Sequence, residues 1–239
     1  MKPKPSSIEQ LLALDQSSLQ GAGPRRGSLS EASPARRAMV RLVVLFLALV
    51  LGWYFVGEPM LSPLAEAARR HTAESRVKVH REAILTAARE ADLEPELVAA
   101  IVFAESSGRV DARSSADALG LMQLRMPTAG EQAGKLGLPA PTETDLLTDP
   151  ELNIRLGAHY FRWVLDHEEG HVERSLVAYN AGRTRLRKWT DEAGGYEEWR
   201  AERLEAGKSS TLSYAKKVLD QRDRFRESKL FQPAEISGD

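Results

Sequence analysis

One carboxylate follows a long apolar stretch of the chain. Glu105 comes after eight apolar residues and lies 4 and 3 residues beyond Ile101 and Val102, on the same helical stripe. A carboxyl group that is buried near the negative end of a helix dipole is expected to have a raised pKa. Glu105 is therefore a candidate general acid near neutral pH. An ordinary salt-bridged Glu, paired with Arg109 or Arg113, is the alternative that this stretch leaves open.

The elements that would position Glu105 all show helical spacing of apolar residues. No period-2 run stands out, which predicts a nearly all-α domain. Pro95 fits the first turn of a helix, and Asp149 or Thr148 fits an N-cap. Helices are expected over residues 76–91, 95–106, 121–132, 150–165, 172–180 and 211–226, and another is expected to begin at residue 183.

Composition limits the possible classes of protein. A chain of 239 residues with 42% apolar and 28% charged side chains can bury one sizeable core with appendages. The formal net charge of -1 gives no case for nucleic acid as a partner. The absence of cysteine excludes disulfides, thiolate metal sites and a Cys nucleophile. No cofactor is expected.

An uncharged segment near the N-terminus predicts a membrane anchor. Residues 42–57 carry no charge, and several arginines, the last of them Arg41, precede the segment. By the positive-inside rule the N-terminus is cytoplasmic and the remainder is exported, so the expected location is the inner membrane with a periplasmic domain. A cleaved signal peptide, with the mature chain starting near Ala68, is the alternative.

These features together predict five parts of the chain. They are a disordered cytoplasmic tail (1–40), a transmembrane signal anchor (41–57), a linker (58–75), a catalytic domain (76–228) and a C-terminal tail (229–239).

Four short motifs follow one another in the domain. They are Glu105-Ser106; Gly120-Leu121-Met122-Gln123-Leu124 with Pro127-Thr128-Ala129; Asp149-Pro150 with Asn153-Ile154 and Gly157; and Ala178-Tyr179-Asn180-Ala181-Gly182. In this order and spacing they resemble the catalytic domain of soluble-type lytic transglycosylases, which are peptidoglycan-cleaving enzymes with a goose-type-lysozyme-like fold. The fold class that follows is a compact multi-helix lysozyme-like domain with little or no sheet, behind one transmembrane helix.

The resemblance implies a substrate and a role for Glu105. The substrate would be the peptidoglycan glycan strand, cleaved at the β-1,4 bond between N-acetylmuramic acid and N-acetylglucosamine with formation of a 1,6-anhydromuramoyl end. Glu105 would protonate the departing oxygen and then act as base toward the muramoyl C6 hydroxyl. The sequence agrees with this single-residue mechanism in one respect. Only Glu105 is expected to have the buried environment of a general acid, whereas ordinary glycosidases use a pair of carboxyl groups.

The resemblance also implies substrate-binding residues. Ser114 matches a serine that contacts substrate, and Met122 and Gln123 match residues that line the groove. Tyr179 matches a residue whose hydroxyl can hold the catalytic carboxyl, with Asn180 next to it. From the residues alone, core packing is the alternative for Met122 and Tyr179.

Three positions depart from the family's pattern. Asp117 stands where Gly is usual, and Arg183-Thr184-Arg185 replaces Pro-Gly-Arg. Ser210 stands four residues before Tyr214, where a second Glu is frequent. The last departure removes an expected polar contact to the substrate and leaves the role of Glu105 intact.

A zinc-protease pattern also occurs in the sequence. The segment His167-Glu168-Glu169-Gly170-His171 matches His-Glu-x-x-His, a chemistry that needs both histidines on one continuous helix. The apolar rhythm stops at Leu165 and resumes at Val172, so a turn between helices is predicted and no metal site is expected. A lysozyme-like hydrolase and a non-catalytic peptidoglycan-binding module are the remaining alternatives.

Overall fold

The computed structural model describes Met39 and residues 42–47, 58–207 and 209–231. The chain separates into two units, residues 1–63 and 64–239. In the first unit, residues 42–47 are helical and their side chains are exposed.

Much of the predicted N-terminal organisation lies outside the described residues. This holds for the tail over 1–40 apart from Met39 and for most of the membrane segment over 41–57. At the other end of the chain, the residues of the predicted C-terminal tail from 232 onward also lie outside the described residues. Among the residues that are described, no helix is both long and apolar enough to cross a membrane. The membrane anchor therefore stays a prediction.

Ten named helices follow residue 57 within the described residues. They are α1 (Glu58–Val79), α2 (Arg81–Glu90), α3 (Pro95–Ser106), α4 (Met126–Lys135), α5 (Glu143–Thr148), α6 (Pro150–His167), α7 (Val172–Ala181), α8 (Arg183–Ala193), α9 (Tyr196–Glu205) and α10 (Ser210–Glu227). Outside them the described chain forms two isolated antiparallel bridges, which join Leu119 to Arg113 and to Leu124. The predicted all-α class is confirmed for this part of the chain.

Helix α3 lies at the centre of the core. Its residues from Leu97 to Phe103 are all buried, so the helix is covered on every side. Helix α10 packs along it, helix α2 contacts it, and helix α7 packs against α10. Each fully buried aliphatic side chain contributes about 1.5–3 kcal/mol relative to exposure. The last turn of α3, which carries Glu105, is thus held by a well-packed frame.

The boundaries of the domain differ from those predicted. Residues 58–75, expected to be a linker, are helical in α1, and Ala73 and Val77 near the end of that helix are buried in the core. At the other end, the predicted tail begins too early, because Phe231 is buried with its ring 5.6 Å from that of Phe225. The packed chain therefore starts before residue 76 and continues beyond residue 228.

Several helix boundaries also need correction. The helix expected over 76–91 is broken at His80, whose φ of -94° and ψ of 16° separate α1 from α2. The helix expected over 121–132 begins only at Met126, because Gly120 and Gln123 have positive φ values of 74° and 49°. Helices α5 and α9 were not predicted; the first begins with a capping box between Thr142 and Asp145.

Candidate active site

Glu105 is the next-to-last residue of α3 and is partly buried. The helix ends at Ser106, and its C-cap Ser107 adopts a left-handed conformation with φ of 55°. From α10, the hydroxyl of Tyr214 donates a hydrogen bond to Oε1 of Glu105 at 2.7 Å. The packing of α10 along α3 thus fixes one oxygen of the carboxyl group.

The surroundings of Glu105 favour its protonated form. Burial raises the pKa of Glu105 from 4.5 to about 7, while the hydrogen bond from Tyr214 and the positive charge of Lys217 act in the opposite direction. The ammonium of Lys217 donates to the carbonyl oxygen of Ala104 at 3.2 Å and lies 5.5 Å from the ring centre of Phe103. Desolvation is therefore the dominant influence on the carboxyl group, as the sequence predicted.

The salt-bridge alternative for Glu105 is wrong. Arg113 forms its ion pair with Glu143 at 2.7 Å, and Nε of Arg109 donates to the carbonyl oxygen of Ser106 at 3.3 Å. No described cation lies within ion-pair distance of Glu105.

Tyr179 is close to the site but does not hold the carboxyl group. Its hydroxyl donates to the main-chain oxygen of Met122 at 2.8 Å. Burial, followed by the negative charge of Glu105, raises the pKa of Tyr179 well above its usual value. The contact predicted for Tyr179 is made instead by Tyr214, which was not among the predicted site residues. The signal that could have identified Tyr214 is its place next to Ala215 on the buried stripe of α10.

The loop from Leu119 to Leu124 is anchored by one buried side chain, Asn153 on α6. Its Oδ1 accepts from the main-chain N–H of Met122 at 2.9 Å, and its Nδ2 donates to the carbonyl oxygens of Leu119 and Leu146 at 3.0 Å each. Asn153 thus bonds two main-chain groups of the loop and one of α5, and so ties the loop to both helices. Asn153 thus explains why this segment is a fixed turn.

Met122 and Gln123 stabilise this loop in different ways, Met122 by packing of its side chain and Gln123 by side-chain hydrogen bonds to the main chain. The side chain of Met122 is fully buried, and a Cβ on Gly157 would lie 2.7 Å from that of Met122. Core packing therefore accounts for the Met122 side chain, in place of the predicted groove contact. Nε2 of Gln123 donates to the carbonyl oxygens of Ala112 at 3.1 Å and Gly120 at 2.9 Å.

Ser114 and Asn180 lie at the surface of the predicted groove region. Oγ of Ser114 accepts from the main-chain N–H groups of Ala116 at 3.2 Å and Ala118 at 3.1 Å, so this side chain shapes its own loop. In that loop Asp117 has φ of 57°, which explains why Gly suits the position and why Asp is tolerated.

Asn180 is exposed on α7. Substrate contacts by Ser114, Gln123 and Asn180 stay predictions.

The zinc-protease pattern lies in a turn, as predicted. His167 ends α6 and His171 is the N-cap of α7, with Gly170 at φ of 79° between them. The carboxylate of Glu168 is paired with Arg174 and Arg183. The two histidines therefore do not share one helix face.

Ser210 is the first residue of α10 and is exposed. The neighbouring Ser209 caps the helix by accepting from the main-chain N–H of Leu212 at 3.2 Å. The structure shows no contact between Ser210 and Glu105 among the described residues, so the departure at this position leaves the carboxyl group's hydrogen bonding unchanged.

Comparisons with known proteins agree with this geometry. The family model of the transglycosylase SLT domain matches residues 82–201. Over 120 residues the chain is 32% identical to a soluble lytic murein transglycosylase of Escherichia coli, an alignment that covers 50% of this chain and 19% of the relative. The chain thus spans about a fifth of the length of that curated relative.

Two solved structures show the same likeness. An inactive mutant of the lytic transglycosylase Slt from Pseudomonas aeruginosa superposes with a TM-score of 0.55 at 31% identity, covering 64% of this chain and 25% of that one. The soluble lytic transglycosylase SLT70 from Escherichia coli superposes with a TM-score of 0.54 at 26% identity and the same coverage.

Proposed function

The chain belongs to the transglycosylase SLT domain family, and we propose that it is a lytic transglycosylase that cleaves the glycan strands of peptidoglycan. The observation that carries this proposal is the partly buried carboxyl group of Glu105, with a pKa of about 7 and one oxygen held by Tyr214. The names of the relatives from Escherichia coli and Pseudomonas aeruginosa support the same activity.

In the first step Glu105 acts as the general acid. With a pKa of about 7, the carboxyl group is protonated in about half of the molecules at neutral pH. It donates that proton to the glycosidic oxygen as the bond from this oxygen to C1 of the muramoyl residue breaks. A donor whose pKa is near the working pH is efficient in this role.

In the second step the Glu105 carboxylate acts as the base. It accepts the proton of the muramoyl C6 hydroxyl while O6 bonds to C1 and closes the 1,6-anhydro ring. The carboxyl group regains its proton, and no water is consumed. The hydrogen bond from Tyr214 and the charge of Lys217, which lower the pKa of Glu105, stabilise the carboxylate between the two steps.

The hydrogen bonding of Glu105 fits both steps. Tyr214 donates to Oε1, and no described residue donates a hydrogen bond to Oε2. Oε2 is therefore the oxygen that exchanges the proton with substrate, while Tyr214 prevents rotation of the carboxyl group.

Mass spectrometry of digested peptidoglycan sacculi tests the proposal. The native protein is expected to release anhydro-muropeptides, whereas hydrated reducing ends would indicate hydrolysis and an absence of products would indicate a binding module. Glu105→Gln is expected to lower the rate by at least about a thousandfold, because the general acid and base are both lost. Glu96→Gln, on the first turn of the same helix, is the matched control and should stay active. An active Glu105→Gln protein would refute the assignment.

Within the same proposal the domain is tethered to the outer face of the inner membrane. The uncharged segment over 42–57 and the arginines before it support this location. Fractionation of cells that express the full chain should recover it in carbonate-washed membranes, with the domain cleaved by protease added to spheroplasts. Recovery in the soluble fraction, with an N-terminus near Ala68, would instead establish a cleaved signal peptide.

A further inference from the structure

A basic cavity of about 540 Å³ lies between α1, α10 and the end of α3. The volume is in the range of sites that bind small ligands. The buried side chains of Ala73 and Phe103 contribute apolar surface to it. Its charged lining residues are the cations Arg69, Arg70, Lys216, Lys217 and Arg224 and the anions Glu66 and Asp220. The surplus of cations is local, because the formal net charge of the whole chain is -1.

The two anions of this cavity are paired, and three of its cations are not. Glu66 pairs with Arg70 at 3.4 Å, and Asp220 pairs with Lys216 at 2.8 Å. The cations that form no ion pair within the described part of the chain are Arg69, Lys217 and Arg224. All three are exposed. Like charges that the fold brings together repel one another, and an anion that enters the cavity offsets this repulsion.

Hydrogen bonds fix the walls of the cavity relative to each other. Nε2 of Gln221 on α10 donates to Oε1 of Glu74 on α1 at 2.9 Å, and Nζ of Lys217 donates to the carbonyl oxygen of Ala104 on α3 at 3.2 Å. Lys217 and Arg224 are seven residues apart, so they share one face of α10 at a separation of about 10 Å along the helix axis. A small anion between them is within reach of both long side chains.

The chemistry of the lining matches a phosphate group. An arginine guanidinium donates two parallel hydrogen bonds to a phosphate, and a lysine ammonium binds it as a point charge. The hydroxyls of Ser107 and Ser213 also line the cavity and form no hydrogen bond within the described chain, so they are available as further donors. A carboxylate offers one charge to these donors, whereas a phosphate monoester carries about two charges and three acceptor oxygens at neutral pH.

We propose that this cavity binds a phosphate group, held by the guanidinium groups of Arg69 and Arg224 and the ammonium of Lys217. Two sources carry this chemistry: the headgroup of an anionic phospholipid, and a soluble phosphate or phosphorylated molecule. Binding at the cavity does not depend on the proposed function, because none of its lining residues has to act on a glycan.

A bound anion also affects the candidate active site. The positive charge of Lys217 lowers the pKa of Glu105, and an anion held by Lys217 offsets that charge. The other titratable groups of the described chain that face Glu105 are Tyr179 and Tyr214, and burial raises the pKa of both well above the usual value. Both tyrosines therefore stay protonated near neutral pH. Occupation of the cavity is thus expected to raise the pKa of Glu105.

Isothermal titration calorimetry on the full chain in a nonionic detergent tests the cavity with two probes, inorganic phosphate and glycerophosphoglycerol, the headgroup of phosphatidylglycerol. Saturable binding of at least one probe is expected, and the double variant Arg69→Gln with Arg224→Gln should weaken it at least about tenfold. The matched control is Arg125→Gln with Arg185→Gln, which removes two exposed arginines outside the cavity lining that form no ion pair within the described residues. Both double variants should keep the native denaturation midpoint, because the replaced side chains are exposed.

The two probes distinguish the sources of the phosphate. Tighter binding of the headgroup supports the proposal with a lipid as the source, and tighter binding of inorganic phosphate supports it with a soluble source. Binding of neither probe, or equal weakening by the two double variants, overturns the proposal.

Carbon-13 NMR titration of the Glu105 carboxyl group tests the link to the candidate active site without requiring cleavage. Phosphate at a concentration that just saturates the native protein is expected to raise the pKa of Glu105 in the native protein and in the control, and to raise it less in the Arg69 and Arg224 double variant. Binding that leaves this pKa unchanged in the native protein would place the anion away from Lys217 and overturn the assignment. If the native protein releases no anhydro products from peptidoglycan, the proposed function fails, while calorimetry still decides whether the cavity binds phosphate.

Discussion

Two side chains of α10 act on the carboxyl group of Glu105 against the effect of burial. Tyr214 donates to the carboxyl group at 2.7 Å, and Lys217, three residues later on the same helix, places its ammonium at the carbonyl oxygen of Ala104. Both lower the pKa that burial has raised. The balance leaves the carboxyl group able to give and to take a proton at neutral pH.

Removing either side chain is expected to shift the pH dependence of cleavage upward. Lys217→Met and Tyr214→Phe each remove an interaction that lowers the pKa of Glu105, so its protonated form persists to higher pH. The alkaline limb of the kcat/KM profile should move to higher pH in both variants. Lys216→Met is the matched control, because this neighbouring lysine pairs with Asp220 at 2.8 Å. An unchanged limb in both variants would contradict the assignment of Glu105 as the titrating acid.

The raised pKa of Glu105 also predicts how stability depends on pH. Below 4.5, the pKa of this carboxyl group in the unfolded chain, Glu105 is protonated in both the folded and the unfolded state, so its ionisation does not change the free energy of unfolding. As the pH rises through 4.5 toward about 7, the unfolded chain ionises more easily than the folded one, so the folded state loses up to about 3 kcal/mol. The melting temperature of the Glu105→Gln protein should therefore exceed that of the native protein at pH 8.5 and equal it at pH 4. The melting temperature of the control Glu96→Gln should not differ in this way between the two pH values.

At the scale of single residues, the sequence predicted Glu105 and missed its partner. The spacing of Glu105 from Ile101 and Val102 is local information, and it was enough to predict burial and a raised pKa. The hydrogen bond from Tyr214 joins residues 109 positions apart, and local spacing cannot show which face of α10 meets α3. Tyr179 has a suitable hydroxyl and the right neighbourhood, but its hydrogen bond goes to Met122.

At the scale of elements, α6 and the loop from Leu119 to Leu124 form one unit. Asn153 bonds three main-chain groups around this loop, and Gly157 one turn later leaves room for the buried Met122 side chain. The carbonyl oxygen of Met122 in turn accepts a hydrogen bond from the hydroxyl of Tyr179. The position of the loop from Leu119 to Leu124, and with it the hydrogen bond of Tyr179, therefore depends on close contact between the loop and the α6 backbone.

A pair of glycine substitutions tests this dependence. Gly157→Ala would place a Cβ 2.7 Å from that of Met122, and relief of this overlap should cost about 1–3 kcal/mol of unfolding free energy. Gly130→Ala, in α4, meets nothing within 4 Å and should stabilise by about 0.5–1 kcal/mol through helix propensity. Urea denaturation measures both variants. Equal destabilisation by the two would show that the contact at Gly157 is not specific.

Local signals explain which elements were predicted correctly. Helix α3 begins with Pro95 and α6 with capping by Asp149, whose Oδ1 accepts from the N–H of Leu152 at 2.9 Å, and both were placed correctly. The loop before α4 was mistaken for helix because its conformation is stabilised by Asn153, 31 residues beyond Met122. Tertiary hydrogen bonds of this kind leave no periodic pattern in the sequence.

At the scale of the whole molecule, the order of the motifs was sufficient to predict the family, and helical spacing without period-2 runs predicted the all-α class. The extent of the packed domain was less predictable, because α1 is charged over much of its length and gave no clear apolar stripe. Its contribution to the core comes from Ala73 and Val77 in its last turns. Two buried side chains among those of α1 from residue 64 onward, where burial is described, are a weak periodic signal.

Truncations from the N-terminus should show that the end of α1 belongs to the same packed domain as Glu105. A chain starting at Leu64 is expected to have the same denaturation midpoint as the full chain, because this residue begins the second unit. A chain starting at His80 loses the burial of Val77 and the hydrogen bond from Nε of Arg76 to the carbonyl oxygen of Ser107 at 2.8 Å. Together these losses should cost about 3–5 kcal/mol.

The same truncation should also impair cleavage, since Ser107 is the C-cap of the helix that carries Glu105. Arg76 and Val77 approach Gly108 so closely that a Cβ there would lie 2.8 Å from each. Without this support the last turn of α3 is free to fray, and the carboxyl group loses its fixed distance to Tyr214. Release of anhydro-muropeptides by the two truncated chains, compared at equal folded concentration, measures this effect. Equal rates would mean that α10 alone positions Glu105.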